Sequence, residues 1–119
     1  MNTFKLTTPW GGDHNCCLYK NQYLETGGLY IGMLCEDPDY GWEPYADVTV
    51  NIGPLEDGLV AIKDYGENEG IMNSLHEIGL VTEIVDYRGC GLTLVPVCKI
   101  DLAVLEKYNI RTKGGNENG

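Results

Sequence analysis

The chain has 119 residues, 43% of them apolar and 22% charged, which is room for one domain with a core and argues against wholesale disorder. Eighteen carboxylates against eight bases give a formal charge of −10. Phosphate neutralisation needs a basic surface, so the balance excludes direct nucleic-acid binding; only Arg88 and Arg111 offer a guanidinium fork.

Met1-Asn2-Thr3-Phe4-Lys5-Leu6 is followed by no apolar signal region, and no run approaches the ~18 apolar residues of a membrane span. A cytoplasmic protein with no membrane contact is expected.

Residues 3–8 alternate and predict a strand. Pro9-Trp10-Gly11-Gly12-Asp13 predicts a turn. Residues 15–24, with Cys17, Leu18, Tyr19 and Tyr23, predict a second strand, Thr26-Gly27-Gly28 a hairpin loop, and residues 29–35 a third strand. The acidic and aromatic stretch 36–43 is expected to be a loop. Residues 44–52 show the clearest alternation. Ala46, Val48, Val50 and Ile52 fall on one side and Tyr45, Asp47, Thr49 and Asn51 on the other, as in one half-buried antiparallel strand. Leu59-Val60-Ala61-Ile62 reads as a short further strand.

Helical spacing of Ile71, Met72, Leu75 and Ile78 predicts a helix over 68–79. Asn68 suits its N-cap, Glu67 and Glu69 its positive end, and Gly79 its C′ position. Residues 81–87 and 92–100 read as strands separated by Arg88-Gly89-Cys90-Gly91. Asp101 suits the cap of a last short helix, Leu102 to Tyr108. Residues 111–119 are polar and glycine-rich, as in a mobile tail. The order predicts a single α+β domain over 1–110, a twisted antiparallel sheet of about six strands with two short helices packed on one face.

The residues that chemistry needs are sparse. Ser74 is the one serine and lies mid-helix with no nucleophile elbow, and no phosphate-binding or dinucleotide-binding glycine pattern occurs. A non-enzymatic protein is expected, with a small Cys- or zinc-dependent enzyme as an alternative. The five cysteines are odd in number and contain no C-x-x-C, so a disulfide framework is not expected. His14-Asn15-Cys16-Cys17 is the densest set of metal-binding side chains. Strand alternation puts His14 and Cys16 on one face and Cys17 on the other, and the hairpin at Gly27 brings Cys17 close to Cys35. His14, Cys16, Cys17 and Cys35 are therefore a candidate structural zinc site, with Cys90 or Cys98 as a substitute ligand. All four meet only if a bulge breaks the alternation. The competing reading is buried thiols and one surface histidine. His76 reads as a boundary or surface residue.

Charge distribution is the sharper feature. Glu36, Asp37, Asp39, Glu43, Asp47, Glu56, Asp57, Asp64, Glu67 and Glu69 face a single base, Lys63, within one stretch. Tyr40, Trp42 and Tyr45 are interleaved with the first acids. Acids steer towards a basic partner and aromatic rings anchor an interface. Asp37, Asp39, Tyr40, Trp42 and Glu43 are the candidate partner-binding residues; a solvated acidic face is the alternative.

Gly28-Leu29-Tyr30-Ile31 and Glu43-Pro44-Tyr45-Ala46-Asp47-Val48-Thr49-Val50-Asn51 resemble a small uncharacterised family carried by phages and mobile elements of gut bacteria. Leu75-His76-Glu77-Ile78-Gly79-Leu80 and the segment from Pro96 to Asp101-Leu102 extend the likeness over roughly residues 20–108. The sequence departs from the family pattern at Trp42 and at all five cysteines. That family has no established chemistry, so the resemblance carries no catalytic residue. By class, small acidic proteins of mobile elements resemble anti-CRISPR proteins that inhibit type II Cas9 effectors, whose nucleic-acid channels are basic. What this implies is a monomeric inhibitor acting in the bacterial host by occupancy of a basic host defence protein. A housekeeping interaction module of a mobile element is the alternative.

Overall fold

The computed structural model describes residues 2–8 and 12–110; Pro9, Trp10 and Gly11 of the expected turn, and all of 111–119, lie outside them. Apolar alternation builds the first sheet. Phe4 and Leu6 in β1 (Phe4–Thr7), Cys16 and Leu18 in β2 (Asp13–Gln22), and Ile31, Met33 and Cys35 in β3 (Leu29–Asp37) all join the core from one face. β4 (Gly41–Asp47) completes the antiparallel order β1-β2-β3-β4. The second sheet runs β5-β6-β8-β7, from β5 (Thr49–Val50), β6 (Leu59–Ile62), β7 (Val81–Cys90) and β8 (Thr93–Ile100). The fold is α+β with two helices, but the described residues form two four-stranded antiparallel sheets, not one sheet of about six strands. Both sheets share one core with α1 (Ile71–Glu77) and α2 (Leu102–Tyr108), through Val60, Ile62, Cys98 and Ile100, and through Ile71, Leu75 and Leu105.

The division into two sheets originates at Val48, which is fully buried. Its N–H donates to the Ile31 carbonyl of β3 at 2.8 Å, and its own carbonyl accepts the Lys63 N–H, just past β6, at 2.8 Å. Thr49 follows, and its hydroxyl accepts the Ile31 N–H at 3.1 Å and pairs with the Tyr23 hydroxyl at 2.9 Å. Residues 44–52, expected as one strand, are therefore two strands in different sheets. Alternation marks which side chains are buried; it is blind to which sheet buries them.

The other departures are local. The 36–43 stretch is mostly strand, because β3 runs to Asp37 and β4 begins at Gly41. Pro44 sits inside β4, an edge strand, beside an irregularity that leaves Tyr45 as the extra residue between the pairs Met33↔Ala46 and Leu34↔Pro44. Edges and bulges are where a strand tolerates a residue with no N–H. The helix expected from 68 begins at Ile71. Its N-cap is Gly70, at φ 87°, and Gly66–Asn68 forms a separate 3₁₀ turn. Asn68 is buried inside that turn and its Nδ2 donates to the Asp47 carbonyl, while its Oδ1 accepts no N–H of the helix. At the other end Gly79, at φ 83°, donates to His76 and Leu80 donates to Leu75, which is the Schellman closure. The expected loop at 88–91 shrinks to Gly91-Leu92, since Cys90 pairs with Thr93.

β1 covers only Asp13–Cys16 of β2. Beyond it the chain after α2 takes the same edge: Ile110 N–H donates to the Leu18 carbonyl at 2.7 Å, and Asn109 Oδ1 accepts the Lys20 N–H at 3.0 Å. Phe4 and Tyr108 meet edge to face at 5.4 Å. Among the described residues no helix is long and apolar enough to cross a membrane.

Asp101 caps α2 as the sequence suggests, its carboxylate accepting the N–H groups of Ala103 at 2.9 Å and Val104 at 3.3 Å. Asp101→Ala is expected to lower stability by about 1 kcal/mol in urea unfolding, and Asp101→Ser to restore most of it.

Candidate functional site: the acidic hairpin and the thiol row

The turn joining β3 to β4 is held by one side chain. Asp37 Oδ1 accepts the N–H of Asp39 at 2.7 Å and of Tyr40 at 3.1 Å, and Gly41 supplies φ 81°. Asp39 and Tyr40 are thereby presented at the tip, with Tyr40 79% exposed. Trp42 is half-buried and lies opposite Glu36 in the ladder, whereas Glu43 lies opposite Cys35. Opposed residues share a face, so Trp42 and Glu43 flank the hairpin on its two sides. Glu36 is bridged to β2 by Asn15 Nδ2 at 3.2 Å. The five candidate partner-binding residues thus lie on one hairpin, with Asp37 spent on the turn itself.

The rest of the acidic run is dispersed. Asp47 accepts the Tyr30 hydroxyl at 2.7 Å. Asp64 accepts the Met72 N–H at 3.3 Å. Glu56 and Asp57 line an open cleft of about 430 Å³ beside the β2–β3 connection, at the opposite end of β3 from Tyr40. No lysine or arginine occurs between Lys20 and Lys63, so β3, β4 and their turn carry no base of their own.

The four candidate zinc ligands are not brought together. His14, Cys16 and Cys35 share the core-facing side of the sheet, and the His14 ring lies 5.4 Å from that of Tyr45. Cys17 is fully buried on the other side, opposite Leu34. The partner of Cys35 is Cys16, not Cys17, because the register is set one residue from the expected one. Among the described residues no group of three or more His, Cys, Asp or Glu side chains is arranged to hold a metal ion. Cys98 is buried in the other sheet, and Cys90 is half-buried at the β7–β8 turn. His76 is exposed, on the rim of a second open depression with Asn73, Thr82 and Glu83.

Sequence reasoning missed a tyrosine cluster on the face away from the core. Tyr30 meets Tyr19 and Tyr23 edge to face, with centroids 6.2 Å and 5.7 Å away. Its ring covers Gly32, where an added Cβ would stand 2.6 Å from the hydroxyl. Burial, the hydrogen bond to Asp47 and that carboxylate's charge all push the Tyr30 phenol above its usual range. The available signal is Tyr19, Tyr23 and Tyr30 around one hairpin, with Gly32 two residues beyond Tyr30.

No family model matches the chain, and no curated protein or solved structure matches it.

Two outcomes follow from this geometry. Gly32→Ala is expected to swing the Tyr30 ring off Asp47, so that ultraviolet titration gains one tyrosine ionising near pH 10. Burial pushes the Cys17 and Cys98 thiols up to about 11, with a nearby negative charge adding to each. In the unfolded chain they ionise near 9, so the folded state holds more protons between pH 9 and 11 and stability falls as pH rises through that window. Urea midpoints measured in reductant from pH 8 to 11 should show the decline, and a C17A/C98A double variant should show a shallower one.

Proposed function

We propose that the protein is a stoichiometric binding module that docks its β3–β4 hairpin on a basic surface of another protein. The most concrete partner is a type II Cas9 effector, following the class resemblance, with the hairpin blocking nucleic-acid loading or a domain movement and no turnover. One observation carries the reading: Asp39 and Tyr40 stand at the tip of a turn built for them, on a hairpin without a base of its own. Uncompensated negative charge accelerates encounter with a cationic partner, and a projecting tyrosine supplies area at small entropic loss. Trp42 and Glu43 widen the contact to both sides of the hairpin, and Asp37 acts by holding the turn.

Purified Cas9 is the probe. A one-to-one complex whose association slows with added salt is expected. Tyr40→Ala should weaken it at least ~10-fold and D39K/E43K further. Asp37→Asn preserves the turn acceptor and should lose less than Asp39→Lys. E56K/D57K, beside the distant cleft, should bind like the parent. No complex and unimpaired DNA cleavage at excess protein would remove Cas9 as the partner. A complex indifferent to Tyr40→Ala and D39K/E43K would remove the hairpin as its site.

A further inference from the structure

Cys16 and Cys35 are directly opposed in the β2–β3 ladder, and their sulfurs lie 2.7 Å apart. Opposed residues of an antiparallel pair have Cα atoms ~4.5–5.5 Å apart, inside the ~4.4–6.8 Å range of disulfides. Two thiolates on one tetrahedral zinc, each ~2.3 Å from it, would be separated by roughly 3.8 Å. The pair is spaced for a bond to each other and not for a shared ion. The next cysteine in sequence, Cys17, faces away, and Cys90 and Cys98 belong to the second sheet.

We propose that Cys16 and Cys35 form a reversible two-electron redox site, taking a low-molecular-weight disulfide as oxidant and closing a disulfide across β2 and β3. The two members are unequal. Cys35 keeps 9% exposure, while Cys16 has none. Cys16 is also held in place, its thiol donating to the His14 carbonyl at 3.6 Å. Cys35 is therefore the attacking thiolate. Its sulfur bonds to one sulfur of the external disulfide, whose S–S bond breaks and releases the first thiolate. Cys16 gives up its proton and attacks the Cys35 sulfur, which breaks the mixed disulfide and releases the second thiolate. Two protein thiols are oxidised, one external disulfide is reduced to two thiols, and the two protein protons leave with them. The bond closes a loop containing the β2–β3 hairpin and fixes the register beneath Glu43, the residue opposite Cys35. The site does not depend on the docking reading.

The full chain, equilibrated with bis(2-hydroxyethyl) disulfide against its thiol and quenched in acid, tests this. Expected are a mass about 2 Da lower, three alkylated cysteines in denaturant where the reduced protein shows all five, and a Cys16–Cys35 cross-link in the peptide map. The oxidised form should melt at a higher temperature. C17S and C98S should oxidise like the parent. C16S should stop at a persistent mixed disulfide on Cys35, and C35S should form no cross-link. All five thiols still alkylatable at the most oxidising ratio, or a cross-link involving Cys17, Cys90 or Cys98 in place of the pair, would overturn the proposal.

Discussion

The architecture depends on how the chain leaves the first sheet and enters the second. Val48 has no room for water, so its N–H and carbonyl must both find protein partners. It finds one on each side, Ile31 in the first sheet and Lys63 beside the second. Thr49 then supplies with its hydroxyl the acceptor that a continued β4 would have supplied with its backbone, and Ile31 N–H is not orphaned. A residue without a side-chain acceptor there would leave that donor buried and unpaired, at a penalty of about 1–3 kcal/mol. The switch lets a short chain bury Leu18, Ile31 and Met33 against Ile62, Cys98 and Ile100 in a common interior.

Much of this was legible in the residues, and the failures are physical ones. Alternation at Phe4-Lys5-Leu6, the strand over 29–35, helical spacing at Ile71–Leu75, the Asp101 cap and the Gly79 closure each rest on local chemistry, and each is found in place. What a single strand's pattern lacks is pairing. It held no sign that Val48 changes sheets, or that Cys35 meets Cys16 and leaves Cys17 to the other side. Asn68 shows the same limit: a good cap by type, it lies inside a separate turn, its Nδ2 bonded to a carbonyl twenty-one residues earlier. In the candidate site, residue types mark the acidic aromatic hairpin, but only the folded turn separates Asp37, which makes it, from Asp39 and Tyr40, which it displays.

The hairpin and the thiol pair adjoin. One row of the sheet runs Cys16, Cys35, Glu43, from the interior thiols to a carboxylate on the edge strand. On the opposite side Asn15 donates its side-chain amide to Glu36, which is paired with Trp42. Whatever stiffens β2 against β3 therefore stiffens the base from which Asp39 and Tyr40 project. The second sheet bears on this region through the core, and its own exposed apolar side chains, Tyr87, Leu92 and Leu94, lie on the separate β7–β8 arm.

The edge of the first sheet is finished by residues from both extremes of the described chain. Phe4 leans on Tyr108, and Ile110 bonds to Leu18. A nascent polypeptide still lacking residues 102–110 would expose the outer margin of β2 and miss the Leu105 plug. Such long-range closure favours slow, late acquisition of structure, after most of the polypeptide has left the ribosome. In the interval the margin of β2 at Leu18 and Lys20 is the part of this sheet left open to holdase chaperones.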